Sequence, residues 1–207
     1  MSDDLRPLSV GIVVFDGVEV LDFCGPFEVF ATAATPVAPG EPEQLRFRVS
    51  VLAERSATIR CTGGLLVQPH GTLADSPPLD AIVMPGGVGA RREATNPVLL
   101  DWLRARYADG ALVTSVCTGA EALAAAGLLD GRRATTHWAS IDRLRAAYPA
   151  VAIRDDARFV DEGDIITAAG VSAGIDMALH VVARLCGPET ARWTARLMEY
   201  GVESAKR

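Results

Sequence analysis

The sequence predicts an α/β domain built on a doubly wound, mostly parallel sheet with helices on both faces. Short apolar runs rich in β-branched residues suit strands buried on both faces. Helical stretches alternate with those runs along the chain. Glycine, proline or an unusual polar residue punctuates the ends of the apolar runs. In an open sheet of this kind ligands bind beyond the carboxyl ends of the strands, so the residues that leave those ends are the candidates for a site.

The elements follow in order. Ser9–Phe15 is an apolar run broken by Asp16-Gly17, and Pro26–Ala34 reads as a helix with Pro26 in its first turn. Thr35–Gln44 carries three prolines and a glycine and reads as a surface loop. Phe47–Leu52 alternates as a strand, and Thr58–Gln68, with Gly63-Gly64 at its centre, reads as a hairpin. Asp80–Met84 is a buried strand stopped by Pro85-Gly86-Gly87, and Pro97–Tyr107 has helical spacing with Leu99, Leu100, Leu103 and Tyr107 on its core side. Ala111–Val116 is a further strand that runs directly into Cys117, and Thr118–Ala126 is an alanine-rich helix closed by Gly127. Ala139–Tyr148 is amphipathic and stopped by Pro149; Arg158–Val160 and Ile165–Thr167 flank Gly163 as a hairpin. Helices over Ile175–Leu185 and Glu189–Met198 close the chain, separated by Gly187-Pro188.

Composition bounds the function. The 207 residues are 49% hydrophobic, enough for a sizeable core, and fit one large domain spanning residues 1–207. A net charge of −6 offers nothing to phosphate backbones or anionic lipid, so neither a nucleic-acid nor a membrane partner is expected. The polar start Met1–Arg6 lacks a signal peptide's basic and apolar regions, and no apolar run reaches the ~20 residues of a membrane span; a soluble, cytoplasmic protein is expected. Cys24, Cys61, Cys117 and Cys186 form no CxxC pair, so no metal site or disulfide framework is expected.

Three strand ends carry the candidate chemistry: Asp22-Phe23-Cys24-Gly25-Pro26, Pro85-Gly86-Gly87 and Val116-Cys117-Thr118-Gly119. A buried strand that feeds a helix through one residue is the geometry of a nucleophile elbow, and a helix start beside the sulfur favours thiolate. The plainer alternative for Cys117 is a buried, inert thiol. Gly86 and Gly87 let the backbone approach a ligand, and the Gly87 amide paired with that of Thr118 offers an oxyanion hole, unless the glycines only make a turn. Asp22, between Leu21 and Phe23, is placed to keep or share a proton beside the cysteine, or else to cap the Pro26 helix. Glu28 is a second candidate for the acid's part, or an exposed first-turn carboxylate. Cys24 is a candidate pocket residue. His137 either orients the cysteine or caps and packs. His70, His180, Cys61 and Cys186 read as structural, and Asp176 as a first-turn acid.

Several of these runs together resemble the PfpI/ThiJ (class I glutamine amidotransferase-like) superfamily. They are Leu21–Pro26, Met84–Gly87, Ser115–Gly119, Ala126–Trp138 and Ala169–Asp176, and the likeness runs from about residue 8 to about residue 200. Two branches are similar: isonitrile (isocyanide) hydratase, and the sensor domain at the front of AraC-type transcription regulators. The regulators carry a further helix-turn-helix domain of roughly 100 residues, the size of one small domain. This chain stops soon after Tyr200, which points the resemblance to a stand-alone hydratase-like protein. The departures agree: Thr118 stands where the protease-like branch has histidine, no late His-Pro-Glu-like segment is found, and Asp22 stands where the glyoxalase-like branch has glutamate.

The resemblance implies a flavodoxin-like fold, a homodimer, a small-molecule substrate and no metal or organic cofactor. It implies an isonitrile hydratase in which Cys117 attacks the isonitrile carbon to give a thioimidate. Asp22 is then the general acid/base, and Thr118 and Gly87 steady the intermediate. The alternatives it leaves are a non-catalytic small-molecule or redox sensor, or another cysteine-dependent hydrolase or glyoxalase-like activity.

Overall fold

A computed structural model describes residues 6–35 and 44–201. Its centre is a sheet of seven strands: β1 (Leu8–Val13), β2 (Phe47–Ala53), β3 (Gly71–Thr72), β4 (Ala81–Met84), β5 (Leu112–Val116), β6 (Phe159–Asp161) and β7 (Ile165–Ala168). Their spatial order is β6-β7-β5-β4-β1-β2-β3. Every neighbouring pair is parallel except β6 and β7, the hairpin around Gly163. The runs that lacked alternation in the sequence are sealed on both faces: all residues of β4 and of β5 are buried.

Two helical layers cover the sheet. Helices α1 (Val20–Thr32), α6 (Ala173–Cys186) and α7 (Pro188–Leu197) pack on one another, while α2 (Ala90–Glu93) and α3 (Pro97–Ala108) pack on α4 (Ala120–Ala125). Helix α5 (Ile141–Ala147) covers a small parallel ribbon, Arg133–Ala134 with Ala152–Ile153. The hairpin expected at Thr58–Gln68 is the pairing of Ile59–Arg60 with Leu66–Val67. Most of the surface loop expected at Thr35–Gln44 lies outside the described residues; at its margins Ala34–Thr35 pairs with Gln44–Leu45.

Two helix starts differ from the sequence reading. Helix α1 begins at Val20, six residues before Pro26, so Pro26 lies inside it and removes the bond that would reach the Asp22 carbonyl. Asp22 therefore stands in the first turn and is no cap. The regular helix after Cys117 begins only at Ala120, because Cys117–Gly119 form a tighter 3-10 turn. Among the described residues no helix is long and apolar enough to cross a membrane.

Candidate active site

Cys117 leaves β5 in the left-handed region, with φ of 58°. A residue with a Cβ adopts that conformation only when its surroundings enforce it. Two hydrogen bonds do so here. The Cys117 amide donates to the Ala169 carbonyl at the end of β7 (2.9 Å), and the Thr136 hydroxyl donates to the Cys117 carbonyl (2.8 Å). The side chain is thus turned out of the sheet and remains 6% exposed at the floor of a cleft of about 360 Å³.

Asp22 meets the sulfur from α1. It is fully buried; its Oδ2 accepts the Gly86 amide at 3.0 Å, and its Oδ1 has no aligned hydrogen-bond partner. Burial pushes this carboxyl up from 3.8 to about 7, opposed by the Gly86 amide and by the Cys117 thiol. The Cys117 thiol is itself pushed up from 9.0 to about 12, first by burial and then by the Asp22 charge. The expectation that the elbow would favour thiolate is thereby corrected: the start of a short turn does not outweigh desolvation beside a carboxylate. The two groups share protons as a pair, and between about 7 and about 12 the pair holds one.

The expected oxyanion pair is half corrected. The Gly87 amide donates to Thr118 Oγ1 at 3.0 Å and is already occupied, which makes the Thr118 hydroxyl a brace between two loops. The amides that hydrogen-bond the Cys117 sulfur are those of Thr118 and Val171. Val171, in the loop after β7, is the second non-glycine residue held at positive φ (48°). For a β-branched side chain this is a costly conformation, and it is kept at a place where its N–H serves the thiol.

His137 lines the cleft, but its Nδ1 accepts the Ala139 amide (3.2 Å) and so caps the turn that follows. Cys24 and Glu28 are not brought to the cleft. Cys24 lies beside Cys61, where burial pushes both thiols up, and Glu28 is exposed on the outer side of α1. Cleft residues that the sequence does not single out as site candidates are Glu19, Val88, Arg91, Ser140, Arg143 and Val171. The remaining histidines are structural: His70 Nδ1 accepts the Val51 amide (3.0 Å), and His180 contacts Asp161 (2.7 Å). Asp176 accepts from Arg158 (2.6 Å) and Tyr200 (2.9 Å). No cluster of three metal-ligating side chains occurs among the described residues.

The site is thus a left-handed cysteine beyond a buried parallel strand, facing an acid from the first helix, and comparison with known proteins shows the family of the chain that carries it. The DJ-1/PfpI family model matches residues 8–184. The chain belongs to the DJ-1/PfpI family. Among curated relatives of this DJ-1/PfpI chain, the isonitrile hydratase of Pseudomonas putida is 37% identical over 193 residues, 93% of this chain and 78% of that protein. The HTH-type transcriptional regulator CdhR of Pseudomonas aeruginosa is 35% identical over 145 residues, 70% of this chain but 43% of the regulator. A ThiJ/PfpI family protein from Pseudomonas syringae superposes with a TM-score of 0.83 at 29% identity, covering 98% of this chain and 78% of that one. Drosophila melanogaster DJ-1beta superposes at 0.80 with 21% identity, over 95% of this chain and all of its own, a likeness of fold. The mostly parallel, flavodoxin-like architecture of this family is the one the seven-stranded sheet displays.

Gly86 provides a direct check on the geometry. A Cβ there would stand 2.5 Å from the Thr118 nitrogen and Oγ1 and 3.0 Å from Asp22 Oδ2. Backbone cannot yield as a side-chain tip does. Gly86→Ala is therefore expected to cost about 1–3 kcal/mol in chemical denaturation and to slow Cys117 alkylation at pH 8. An unchanged denaturation midpoint and alkylation rate would show that the three groups are not packed against residue 86.

Proposed function

We propose that this protein is a hydro-lyase that adds water to an isonitrile to give an N-substituted formamide, with Cys117 as nucleophile and Asp22 as general acid/base. The observation that carries the reading is the juxtaposition of Cys117, at the floor of the cleft, with the fully buried carboxyl of Asp22. Its nearest functional support is the 37% identity to a protein named isonitrile hydratase.

The chemistry follows from the pair. The isonitrile carbon approaches the sulfur, a sulfur–carbon bond forms, and the shared proton passes by way of Asp22 to that carbon, giving a thioimidate. The amides of Thr118 and Val171 face the sulfur throughout. Water then adds to the thioimidate carbon: Asp22 takes one proton from the water and passes it to the nitrogen, leaving a hydroxyl on the carbon. Cleavage of the carbon–sulfur bond releases the formamide as the hydroxyl gives its proton back to the Cys117–Asp22 pair. The sum is isonitrile plus water to formamide, with nothing oxidised and no cofactor consumed. Val88, 78% exposed at the cleft, offers apolar surface to the substituent.

The test is incubation of the purified protein with a simple alkyl isonitrile and detection of formamide by NMR. Absence of turnover rejects the reading. If the one-proton pair is the working form, kcat/KM rises as pH passes through about 7, where Asp22 loses its proton, and holds until the thiol titrates near 12. A rate that falls as pH rises from 6 to 8 would exclude the pair in that role.

A sensor is the second reading, favoured by the 35% identity to CdhR. The raised thiol weighs against its redox form, since oxidation follows thiolate character. Mass spectrometry after mild peroxide separates them: ready sulfenic acid formation at Cys117 without isonitrile turnover would favour the sensor.

A further inference from the structure

The cleft over Cys117 is lined by charges of both signs. Glu19 lines it, close enough for its charge to raise the pKa of Asp22 buried beneath. Arg91 on α2 and Arg143 on α5 line the same cleft. They reach it from two different helices, so a molecule held over Cys117 meets both residues in the same cleft.

Arg143 is held there by an ion pair with Glu121, on α4 four residues beyond the cysteine. The Glu121 side chain is only 12% exposed and its Oε2 is buried without a hydrogen-bond partner, so among the described residues the carboxylate is held by Arg143. Desolvating such a pair gains little stability. It does fix a long side chain in one place. Only Nη1 of Arg143 is engaged by Glu121, and Nη2 has a weak 3.5 Å contact with Ser140 Oγ. Its remaining donors are those that bind a carboxylate in a planar fork. Arg91 is exposed and forms no ion pair among the described residues.

We infer that Arg143, braced by Glu121, forms with Arg91 an anion subsite that selects substrates whose substituent ends in a carboxylate. The inference rests on the hydratase reading for the substrate's other end and deepens it: the substrate class is the isocyano-carboxylate, and the product an N-formyl amino acid.

The test is equilibrium binding of two product analogues, followed by calorimetry: N-formyl-β-alanine and its neutral amide. The wild type is expected to bind the carboxylate at least tenfold more tightly, the scale of a charge-assisted hydrogen bond. Added salt should reduce that preference. Arg143→Gln is expected to abolish it. Because that change strands the Glu121 carboxylate, Arg91→Gln and the double variant Glu121→Gln/Arg143→Gln are measured beside it, and each should lower the preference severalfold or more. Equal affinities, no saturable binding of either analogue at millimolar concentration, or a preference that survives in the folded variants overturns the subsite. Turnover of a neutral alkyl isonitrile is measured in parallel. Anion preference without turnover would sink only the hydratase reading, and turnover without anion preference would sink only the subsite.

Discussion

Replacing Cys117 with alanine is expected to abolish formamide formation, lowering kcat by about 10⁴-fold or more, the usual scale for loss of a covalent nucleophile. The protein should still fold. The thiol is a small side chain at the edge of the core, and the hydrogen bonds that hold residue 117 at positive φ come from its backbone, which alanine retains. Circular dichroism and a denaturation midpoint near that of the wild type would establish this. Cys117→Ser sharpens the test, since the hydroxyl keeps the shape and loses the nucleophilicity. Turnover of either variant within tenfold of the wild type would exclude covalent catalysis at this position.

Asp22→Asn should separate activity from stability. Turnover is expected to fall by about 10²–10⁴-fold, the range for a lost general acid/base. The fold should become more stable above neutral pH. In the wild type the folded carboxyl titrates at about 7 against 3.8 in the ordinary reference state. Stability linked to its proton is fully present below about 3.8 and is lost as pH rises through about 7. A displacement of that size corresponds to roughly 4 kcal/mol, an upper figure for what an uncharged isostere could regain at pH 8. Asparagine keeps an acceptor for the Gly86 amide. Denaturation of both proteins at pH 4 and pH 8 is the measurement, with the gap wide at pH 8 and closing toward pH 4. The thiol offers a second readout: with the Asp22 charge gone, its titration should move down from about 12, and alkylation at pH 8 should accelerate. A variant less stable than the wild type at pH 8, with an unmoved thiol, would deny that the two groups are coupled.

The sheet was legible because parallel strands buried on both faces leave unmistakable apolar runs, and Val113 and Ile82 paired across β5 and β4 are typical of them. The elbow was legible for the same reason: Ala111–Val116 runs into Cys117 with no loop between. Asp22 was legible as an acid among apolar neighbours. Its neighbours on α1 are harder to place, because Pro26 reads as a helix start and conceals the turn that precedes it. Once the helix begins at Val20, each residue turns by about 100°, so Cys24 and Glu28 stand roughly 200° and 240° around from Asp22 and face elsewhere. The donors at the sulfur were hidden for a different reason. Which amide is free depends on Thr118 occupying that of Gly87 and on the loop after β7 delivering Val171, and no local pattern encodes either event. The one signal available is position: Gly170–Gly174 follows β7, and sites gather at strand ends. Arg91 and Arg143 come from helices far apart in the chain, and only the folded arrangement places them in one cleft.

A sulfur that holds its hydrogen this firmly is masked against casual chemistry. Alkylating metabolites and peroxides consume thiolates, and at neutral pH Cys117 offers very little of that form. On the proposed reading, reactivity is reserved for a guest that takes up the hydrogen as it is attacked, as the carbon of an isonitrile does and an alkyl halide or a peroxide does not. Selectivity would then lie in the acid beneath the nucleophile as much as in the walls around it.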